Sequence, residues 1–171
     1  MAGKSKGTRT AIETKAHILI IESRYYETIA DALLDGALAE LKASGATYEK
    51  ITVPGALELP QALGQAVAAG LIPAEEVGGR YDGAIVLGCV IRGETSHYDI
   101  VCNNANHWLM DVAMRANVPL GNALLTVDTE AQAMARALGS GKSGRDGKGA
   151  DAVRACLSIV QISRAFEEVD A

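Results

Sequence analysis

Residues 84–101 read AIVLGCVIRGETSHYDIV, and this stretch decides the fold. Its first part, Ala84–Ile91, is an almost unbroken apolar run rich in branched side chains, which is typical of a strand buried on both faces of a parallel sheet. A polar turn over 92–97 follows, and Ser96 with Asp99 predicts a capping box at the start of a helix. The apolar stripe of that helix comprises Val101, Ala105, Trp108, Leu109 and Val112.

The turn over 92–97 delivers a glycine and a histidine to the first turn of this helix. Backbone N–H groups at a helix N-terminus lack intrahelical partners and attract anions. His97 adds a side chain that titrates near neutral pH, whereas His17 and His107 fall in patterns that favour structural or solvated roles. The stretch therefore predicts an anion site with a proton-transferring histidine beside it.

Three further apolar segments, over 16–22, 48–54 and 119–126, have the length and composition of strands. Helical patterns separate the segments and follow the last of them. This alternation predicts an α/β fold in which a four-stranded parallel sheet is flanked by helices on both faces. The polar residues 1–15 are predicted to form a flexible N-terminal tail, and 16–171 a single domain.

Polar and special residues follow each predicted strand at its carboxyl end. They are Ser23–Tyr26, Gly55–Glu58 and Arg92–His97, with Asn122 beside the fourth strand. Ligands of parallel sheets bind beyond the carboxyl ends of the strands, where such residues meet. The sequence therefore predicts one shared site at this edge of the sheet.

Composition excludes several classes of protein. A chain of 171 residues suits one domain, and a net charge of −5 argues against nucleic-acid binding as the main task. The separated residues Cys89, Cys102 and Cys156 lie in apolar patterns, which predicts buried free thiols in a reducing compartment. No apolar run approaches the roughly 18 residues that span a bilayer, and no secretory signal pattern is present. We therefore expect a cytoplasmic protein with no membrane contact, and no residue spacing supports a metal site.

Four segments in order carry a resemblance to a known family. They are VPGALELP (53–60), LGCVIRGETSHYDIV (87–101), LLTVDTEAQAMARA (124–137) and GKGADA (147–152). Their order and spacing resemble the signatures of the 6,7-dimethyl-8-ribityllumazine synthase family, the riboflavin synthase beta-chain type. The resemblance implies a flavodoxin-like three-layer sandwich. It also implies a transferase that condenses 5-amino-6-(D-ribitylamino)uracil with 3,4-dihydroxy-2-butanone 4-phosphate in the penultimate step of riboflavin biosynthesis, with no cofactor and no metal.

The resemblance also implies roles for individual residues. His97 matches the catalytic histidine of the family. The pyrimidine and ribityl groups would contact Tyr25, Ala56, Leu57, Glu58, Cys89, Val90, Ile91 and Asn122. The phosphate would contact Glu94, Thr95, Arg136 and Lys148.

Two departures from the family pattern concern the subunit interface. Asn122 stands where the family commonly has an aromatic residue that covers the ring from the neighbouring subunit, so substrate affinity is expected to be lower. The segment between Arg136 and Lys148 is longer than in the compact form of the family. In the family, longer versions go with free pentamers. The resemblance therefore implies a homopentamer with sites at the subunit interfaces, rather than a 60-subunit shell, and a possible riboflavin synthase downstream.

Two other functions stay open at this point. Asn122 keeps open a non-catalytic binder of flavin or lumazine with the same fold. His97, Arg136 and Lys148 argue against that interpretation, because a binder needs neither a phosphate site nor a proton shuttle. An assembly protein is the second alternative, and it would leave the same three residues without a role.

Overall fold

The computed structural model describes residues 11–74, 78–140 and 146–169 of the chain. The elements in chain order are β1 (His17–Ser23), α1 (Glu27–Ser44), β2 (Thr47–Val53), α2 (Glu58–Ala68), β3 (Gly83–Ile91), α3 (His97–Arg115), β4 (Leu120–Val127), α4 (Glu130–Leu138) and α5 (Lys148–Val169). The strands pair in the order β2-β1-β3-β4, and all three pairings are parallel. The predicted α/β fold with a four-stranded parallel sheet is confirmed.

Two apolar cores cover the two faces of the sheet. Helices α1, α4 and α5 pack on one face, where the core includes Ile20 and Leu157. Helices α2 and α3 pack on the other face, around Ile21 and Leu109. Ile20 and Ile21 belong to different cores because successive side chains of a strand point to opposite faces. The protein is therefore a three-layer sandwich, as predicted.

Glycines allow α5 to lie directly against its neighbours. A Cβ at Gly121 of β4 would lie 1.9 Å from the backbone oxygen of Ala152 in α5. A Cβ at Gly149 of α5 would lie 1.9 Å from the backbone oxygen of Leu33 in α1. No side chain fits at such distances, so these two contacts bring backbone against backbone. The close packing agrees with a composition that has few aromatic residues.

The predicted capping box at the start of α3 is wrong. Ser96 has φ −66° and ψ −3° and makes no side-chain cap hydrogen bond within the described part of the chain. A capping residue needs extended backbone angles so that its oxygen can turn back to the helix. Thr129 meets this requirement at α4, with φ −138° and ψ 156°, and its Oγ1 accepts a hydrogen bond from Gln132 N at 3.2 Å.

The predicted apolar stripe of α3 is correct except at one residue. Val101, Ala105 and Leu109 are buried, and Val112 is half-buried against the same core. Trp108 is 50% exposed, because it borders an open groove between α2 and α3. The three cysteines are free and buried, as the sequence predicts.

The first ten residues of the predicted tail lie outside the described residues. The end of that segment is hydrogen-bonded to the domain. Thr14 N donates to Ser44 O at 3.1 Å, and Arg164 Nη1 donates to Lys15 O at 2.8 Å. These bonds fix residues 14 and 15 to α1 and α5. Residues 141–145, within the segment between Arg136 and Lys148, also lie outside the described residues.

Candidate active site

A pocket of about 340 Å³ opens at the carboxyl ends of β1 and β3. These strands are neighbours at the centre of the sheet, and the chain leaves them in opposite directions, towards β2 and towards β4. Such a reversal of strand order creates a crevice in α/β sheets. Its lining residues are Tyr25, Tyr26, Gly55, Ala56, Leu57, Glu58, Cys89, Val90, Ile91, Gly93, Thr95, His97, Tyr98 and Val101.

Two tyrosines after β1 form one wall of the pocket. Tyr25 is 74% exposed, and its ring meets that of Tyr26 edge to face at a centroid distance of 5.0 Å. Burial, and then the neighbouring Tyr25, raise the pKa of Tyr26. Arg24 fixes this turn because its guanidinium donates to the buried Glu22, at 3.2 Å, and to Asp31 of α1. The exposed face of Tyr25 is therefore held in place and open to a planar ligand.

The turn between β2 and α2 forms the opposite wall. Glu58 N donates to Gly55 O at 3.3 Å, and a Cβ at Gly55 would lie 3.1 Å from Glu58 Oε2. The carboxylate of Glu58 is thus folded back over the turn, where glycine leaves room for it. It also lies in the first turn of α2, where the helix dipole favours a negative charge.

The end of β3 forms the floor of the pocket. Cys89 is buried there, and burial, with a smaller effect of Cys102, raises the pKa of its thiol to about 11. A thiol with such a pKa is neutral at physiological pH and is a poor nucleophile. Cys89 therefore supplies apolar surface to the pocket rather than reactivity.

The predicted anion turn lies at the start of α3. Gly93, Thr95 and His97 line the pocket, and His97 N donates to Thr95 Oγ1 at 3.4 Å. The side chain of His97 is exposed at the pocket rim. The first backbone N–H groups of a helix have no intrahelical acceptors and favour an anion. This arrangement can bind an anionic group and can exchange a proton with a ligand beside it.

Four of the predicted site residues do not line the pocket of their own chain. They are Glu94, Asn122, Arg136 and Lys148. Arg136 Nη1 donates to Gln132 O of α4 at 3.0 Å, and Lys148 Nζ pairs with Asp151 Oδ2 of α5 at 2.8 Å. Among the described lining residues none is Lys or Arg. One chain therefore presents a helix N-terminus and a histidine to an anion but no cationic side chain.

Asn122 is exposed on β4, and its side chain is hydrogen-bonded within the chain. Its Nδ2 donates to Asn106 Oδ1 at 2.8 Å, and its Oδ1 accepts from Leu124 N at 2.9 Å. It therefore faces away from the pocket of its own chain, on the side of the sheet that carries α3.

The pocket also contains residues that the sequence reasoning missed. Tyr98 and Val101 lie outside the segments that the sequence places at the site, whereas Tyr26, Gly55 and Gly93 lie within those segments but have no predicted individual role. Tyr26 and Tyr98 each directly follow a predicted site residue, so the turn geometry alone decides whether they line the pocket. Adjacent glycines carry no side-chain signal that would mark them as lining residues.

No group of three or more His, Cys, Asp or Glu side chains among the described residues could hold a metal ion. Within those same residues, no helix is both long enough and apolar enough to span a bilayer.

Comparison with known proteins gives consistent results. The family profile of 6,7-dimethyl-8-ribityllumazine synthase matches residues 15–164. The 6,7-dimethyl-8-ribityllumazine synthase 1 of Rhodopseudomonas palustris is 51% identical over 149 residues, which cover 87% of this chain and 86% of its own. The protein of the same name from Agrobacterium fabrum is 47% identical over 151 residues, covering 88% and 97% of the two chains. Its counterpart from Azorhizobium caulinodans is 50% identical over 151 residues, covering 88% of each. The matched range includes every residue that lines the pocket.

Proposed function

This chain belongs to the 6,7-dimethyl-8-ribityllumazine synthase family, and we propose that it makes 6,7-dimethyl-8-ribityllumazine as a transferase of riboflavin biosynthesis. Its substrates are 5-amino-6-(D-ribitylamino)uracil and 3,4-dihydroxy-2-butanone 4-phosphate. The observation that carries the proposal is the pocket itself, which combines an aromatic wall, a carboxylate, a histidine and a helix N-terminus. These groups suit a planar polar ring and a phosphate that must react together.

The pyrimidine half of the site uses mainly residues of one chain, to which an adjacent subunit adds Asn122. The open face of Tyr25 stacks on the ring, since planar aromatic systems prefer offset stacking or edge contacts. The 56–58 turn holds the ribityl chain, with Glu58 as an acceptor for hydroxyl groups. The end of β3, over 89–91, contacts the ring edge.

The phosphate half needs a second chain. The backbone at Glu94 and Thr95 contacts the phosphate at the start of α3, as an anion at a helix N-terminus does. A dianion in a protein site is usually neutralised by Arg or Lys, and no described lining residue is either one. Arg136, Lys148 and Asn122 of an adjacent subunit complete the site. Their exposure outside their own pocket supports this arrangement.

The reaction needs several proton transfers between two bound substrates. The 5-amine attacks the ketone, and loss of water gives an imine; phosphate then leaves by elimination. After tautomerisation the ribitylamino nitrogen closes the ring, with loss of a second water. His97 Nε2 or Nδ1 takes and returns protons in these steps, as general acid–base catalysis requires. Holding the two reactants together also accelerates the reaction. In well-oriented intramolecular reactions this effect lowers the activation barrier by up to about 7–11 kcal/mol.

A mixing assay tests this function. The purified protein is given both substrates, and lumazine absorbance is followed against the uncatalysed background. A rate that scales with protein concentration and falls in His97→Ala supports the enzyme. A folded oligomer that binds lumazine or flavin but gives no rate above background would instead be a non-catalytic binder.

The assembly and its surroundings are further parts of the proposal. We expect a homopentamer, as the family resemblance implies, and closure of such a ring gives each pocket one adjacent subunit. Sedimentation velocity distinguishes a pentamer from a larger shell. A cytoplasmic location, and a riboflavin synthase that consumes the product, remain predictions from the sequence.

A further inference from the structure

Arg92 is the first residue after β3, and its backbone is fixed to the sheet. Its N donates to Val127 O of β4 at 2.9 Å, which continues the β3–β4 pairing beyond the end of the strand. The turn that carries Gly93, Thr95 and His97 therefore starts from an anchored residue.

The side chain of Arg92 contacts three partners. Its Nη2 and Nη1 donate to Asp99 Oδ1 and Oδ2 at 3.2 and 3.4 Å, and its Nε donates to Asp128 Oδ1 at 3.1 Å. The guanidinium also lies over the ring of Tyr98, 4.1 Å from its centroid. Asp99 is in the first turn of α3, and Asp128 directly precedes the N-cap of α4. We name these four residues the Arg92 clamp.

The clamp closes the turn at both of its ends. The backbone of Arg92 holds the start of the turn on β4, and its guanidinium holds Asp99 just beyond the end. The six residues 93–98 therefore lie between two points that the Arg92 side chain connects. The planar guanidinium with two donors to one carboxylate restricts geometry more than a single ammonium contact does.

The clamp also explains why α3 begins without the predicted cap. A capping side chain stabilises a helix start by accepting one of the free N–H groups, and that group is then lost to a ligand. Ser96 makes no such bond in the described structure, and Asp99 is paired with Arg92 instead. The clamp thus stabilises the helix start without a cap from Ser96. Of the first N–H groups, His97 N donates to Thr95 Oγ1 at 3.4 Å and Asp99 N donates to Ser96 O at 3.0 Å.

The clamp leaves Arg92 with little capacity to bind phosphate itself. The hydrogen bonds that Arg92 donates to Asp99 and then to Asp128 raise the pKa of Arg92, and the two carboxylates outnumber its single charge. The side chain of Arg92 is also absent from the described pocket lining. An arginine beside an anion site would otherwise be the first candidate ligand for the anion.

We propose that Arg92 is a positioning residue, which holds the 93–97 turn in its anion-binding conformation through Asp99, Asp128 and Tyr98. The proposal rests on the proposed function, since the anion is the phosphate of the butanone substrate. Through Asp128 the clamp also ties this turn to the start of α4, the helix that carries Arg136.

Steady-state kinetics of Arg92→Ala and Arg92→Lys test the role. For Arg92→Ala we expect KM for the butanone phosphate, and Ki for inorganic phosphate, to rise up to about tenfold, since the two exposed ion pairs that position the turn are together worth up to about one decade. KM for the ribitylaminouracil stays within about threefold, because the pyrimidine wall is elsewhere in the pocket. Arg92→Lys retains the charge but loses the fork and the stacking, so it gives an intermediate value.

The matched control is Arg115→Ala, which breaks an exposed pair with Asp111 of 2.8 Å at the other end of α3. It should leave all three constants unchanged. Equal changes in Arg92→Ala and Arg115→Ala, or an equal rise in both KM values for Arg92→Ala, would overturn the proposal.

Hydrogen exchange provides a test that needs no substrate. Arg92→Ala should speed exchange of the Asp99 and Ile100 amides, which donate to Ser96 O in the clamped turn, whereas Arg115→Ala should not. Unchanged exchange overturns the clamp even if the wild-type protein is an active synthase. A wild-type protein that makes no lumazine overturns the proposed function instead, and the exchange result still decides the role of Arg92.

Discussion

The two ends of the sheet carry similar residue types in different arrangements. At the amino ends, His17 stacks on Tyr81 with centroids 5.4 Å apart, and its Nδ1 lies 2.8 Å from Thr47 Oγ1. At the carboxyl ends, the side chain of His97 is exposed at the rim of the pocket. A histidine has a structural role where its own chain satisfies the ring, and it is available for chemistry where a ligand can reach it.

The carboxylates differ between the two ends in the same way. Glu49 accepts hydrogen bonds from Tyr81 and Arg80, and Asp82 accepts from His17 N at 2.7 Å and Arg164 Nη2 at 2.9 Å. These contacts tie β1, β2 and α5 together beneath the sheet. Glu58 at the other end lies in the pocket, in a turn where glycine leaves room for its carboxylate. One end of the sheet is therefore closed by its own side chains, and the other is open to ligands.

The largest effect on turnover is expected when the exposed histidine is removed from the open, carboxyl end of the sheet. His97→Ala should lower kcat about 100-fold, within the usual range for loss of a general acid–base, and leave the thermal midpoint unchanged. The matched control is His17→Ala, which should lower the thermal midpoint by about 2–4 °C and leave kcat unchanged. Lumazine absorbance and a thermal melt of both variants check the prediction. Loss of turnover in His17→Ala, or its retention in His97→Ala, would contradict the contrast between the two ends.

The second largest effect is expected at Arg136, because the pocket has no described Lys or Arg lining residue of its own chain. Arg136→Ala should raise KM for the butanone phosphate about tenfold, as loss of one charge-assisted contact does, with little change for the pyrimidine. Mixed oligomers assembled from His97→Ala and Arg136→Ala chains test whether sites are shared. Random mixing gives roughly a quarter of the interfaces an intact pair, since each site takes His97 from one chain and Arg136 from its neighbour. A mixture no more active than its components means that each chain completes its own site.

The sequence predicts the buried features of this molecule better than its exposed ones. Alternating apolar strands and helices predict the sheet, because burial of a strand on both faces leaves a clear apolar run such as 84–91. The pocket-lining turns after β1, β2 and β3 are also predictable, since parallel strands bring their carboxyl ends together. Trp108 shows the limit, because a helical stripe does not reveal which of its residues a neighbouring element covers.

The features that the sequence does not predict depend on backbone angles and on contacts between residues that are far apart in the chain. Asp99 reads as a capping partner of Ser96, but backbone angles that the sequence does not reveal leave Ser96 unable to cap. Its actual partner is Arg92, seven residues earlier, and Asp128, which is 36 residues from Arg92, completes that cluster. The strand pattern and the family resemblance both place Asn122 at the site, but it is the third residue of β4, and a single chain leaves it outside the pocket.

A smaller effect is expected at Asn122. Asn122→Phe should lower KM for the ribitylaminouracil about threefold, since an added aromatic contact is worth about 0.5–1.5 kcal/mol. Asn122→Ala is the control, because it removes the same hydrogen bonds with Asn106 Oδ1 and Leu124 N and adds no ring. Steady-state kinetics of both variants check the prediction. Equal KM values for the two variants would mean that no ring of an adjacent subunit is missing from the site.

The smallest effect is expected at the closed end and depends on pH. A hydrogen bond from Tyr81, and a second from Arg80, lower the pKa of Glu49 below its ordinary value of 4.5. Since the folded protein binds this proton more weakly than the unfolded chain does, the contribution of Glu49 to stability is complete above the unfolded pKa. It is lost as the pH falls through the folded pKa. Urea unfolding of wild type and Glu49→Gln should therefore show a gap that is constant near neutral pH and narrows in acid.

Tyr81→Phe separates the contact from the charge of Glu49. Burial, and then the hydrogen bond to Glu49, raise the pKa of Tyr81, so the folded state favours the neutral phenol as a donor. Without that donor, Glu49→Gln should have a smaller effect than it has in the wild-type background, because contacting residues are not additive. Additive effects would mean that the amino end of the sheet is a set of independent surface contacts. The two ends of the sheet would then differ only in how exposed their side chains are, and not in how strongly those side chains are coupled.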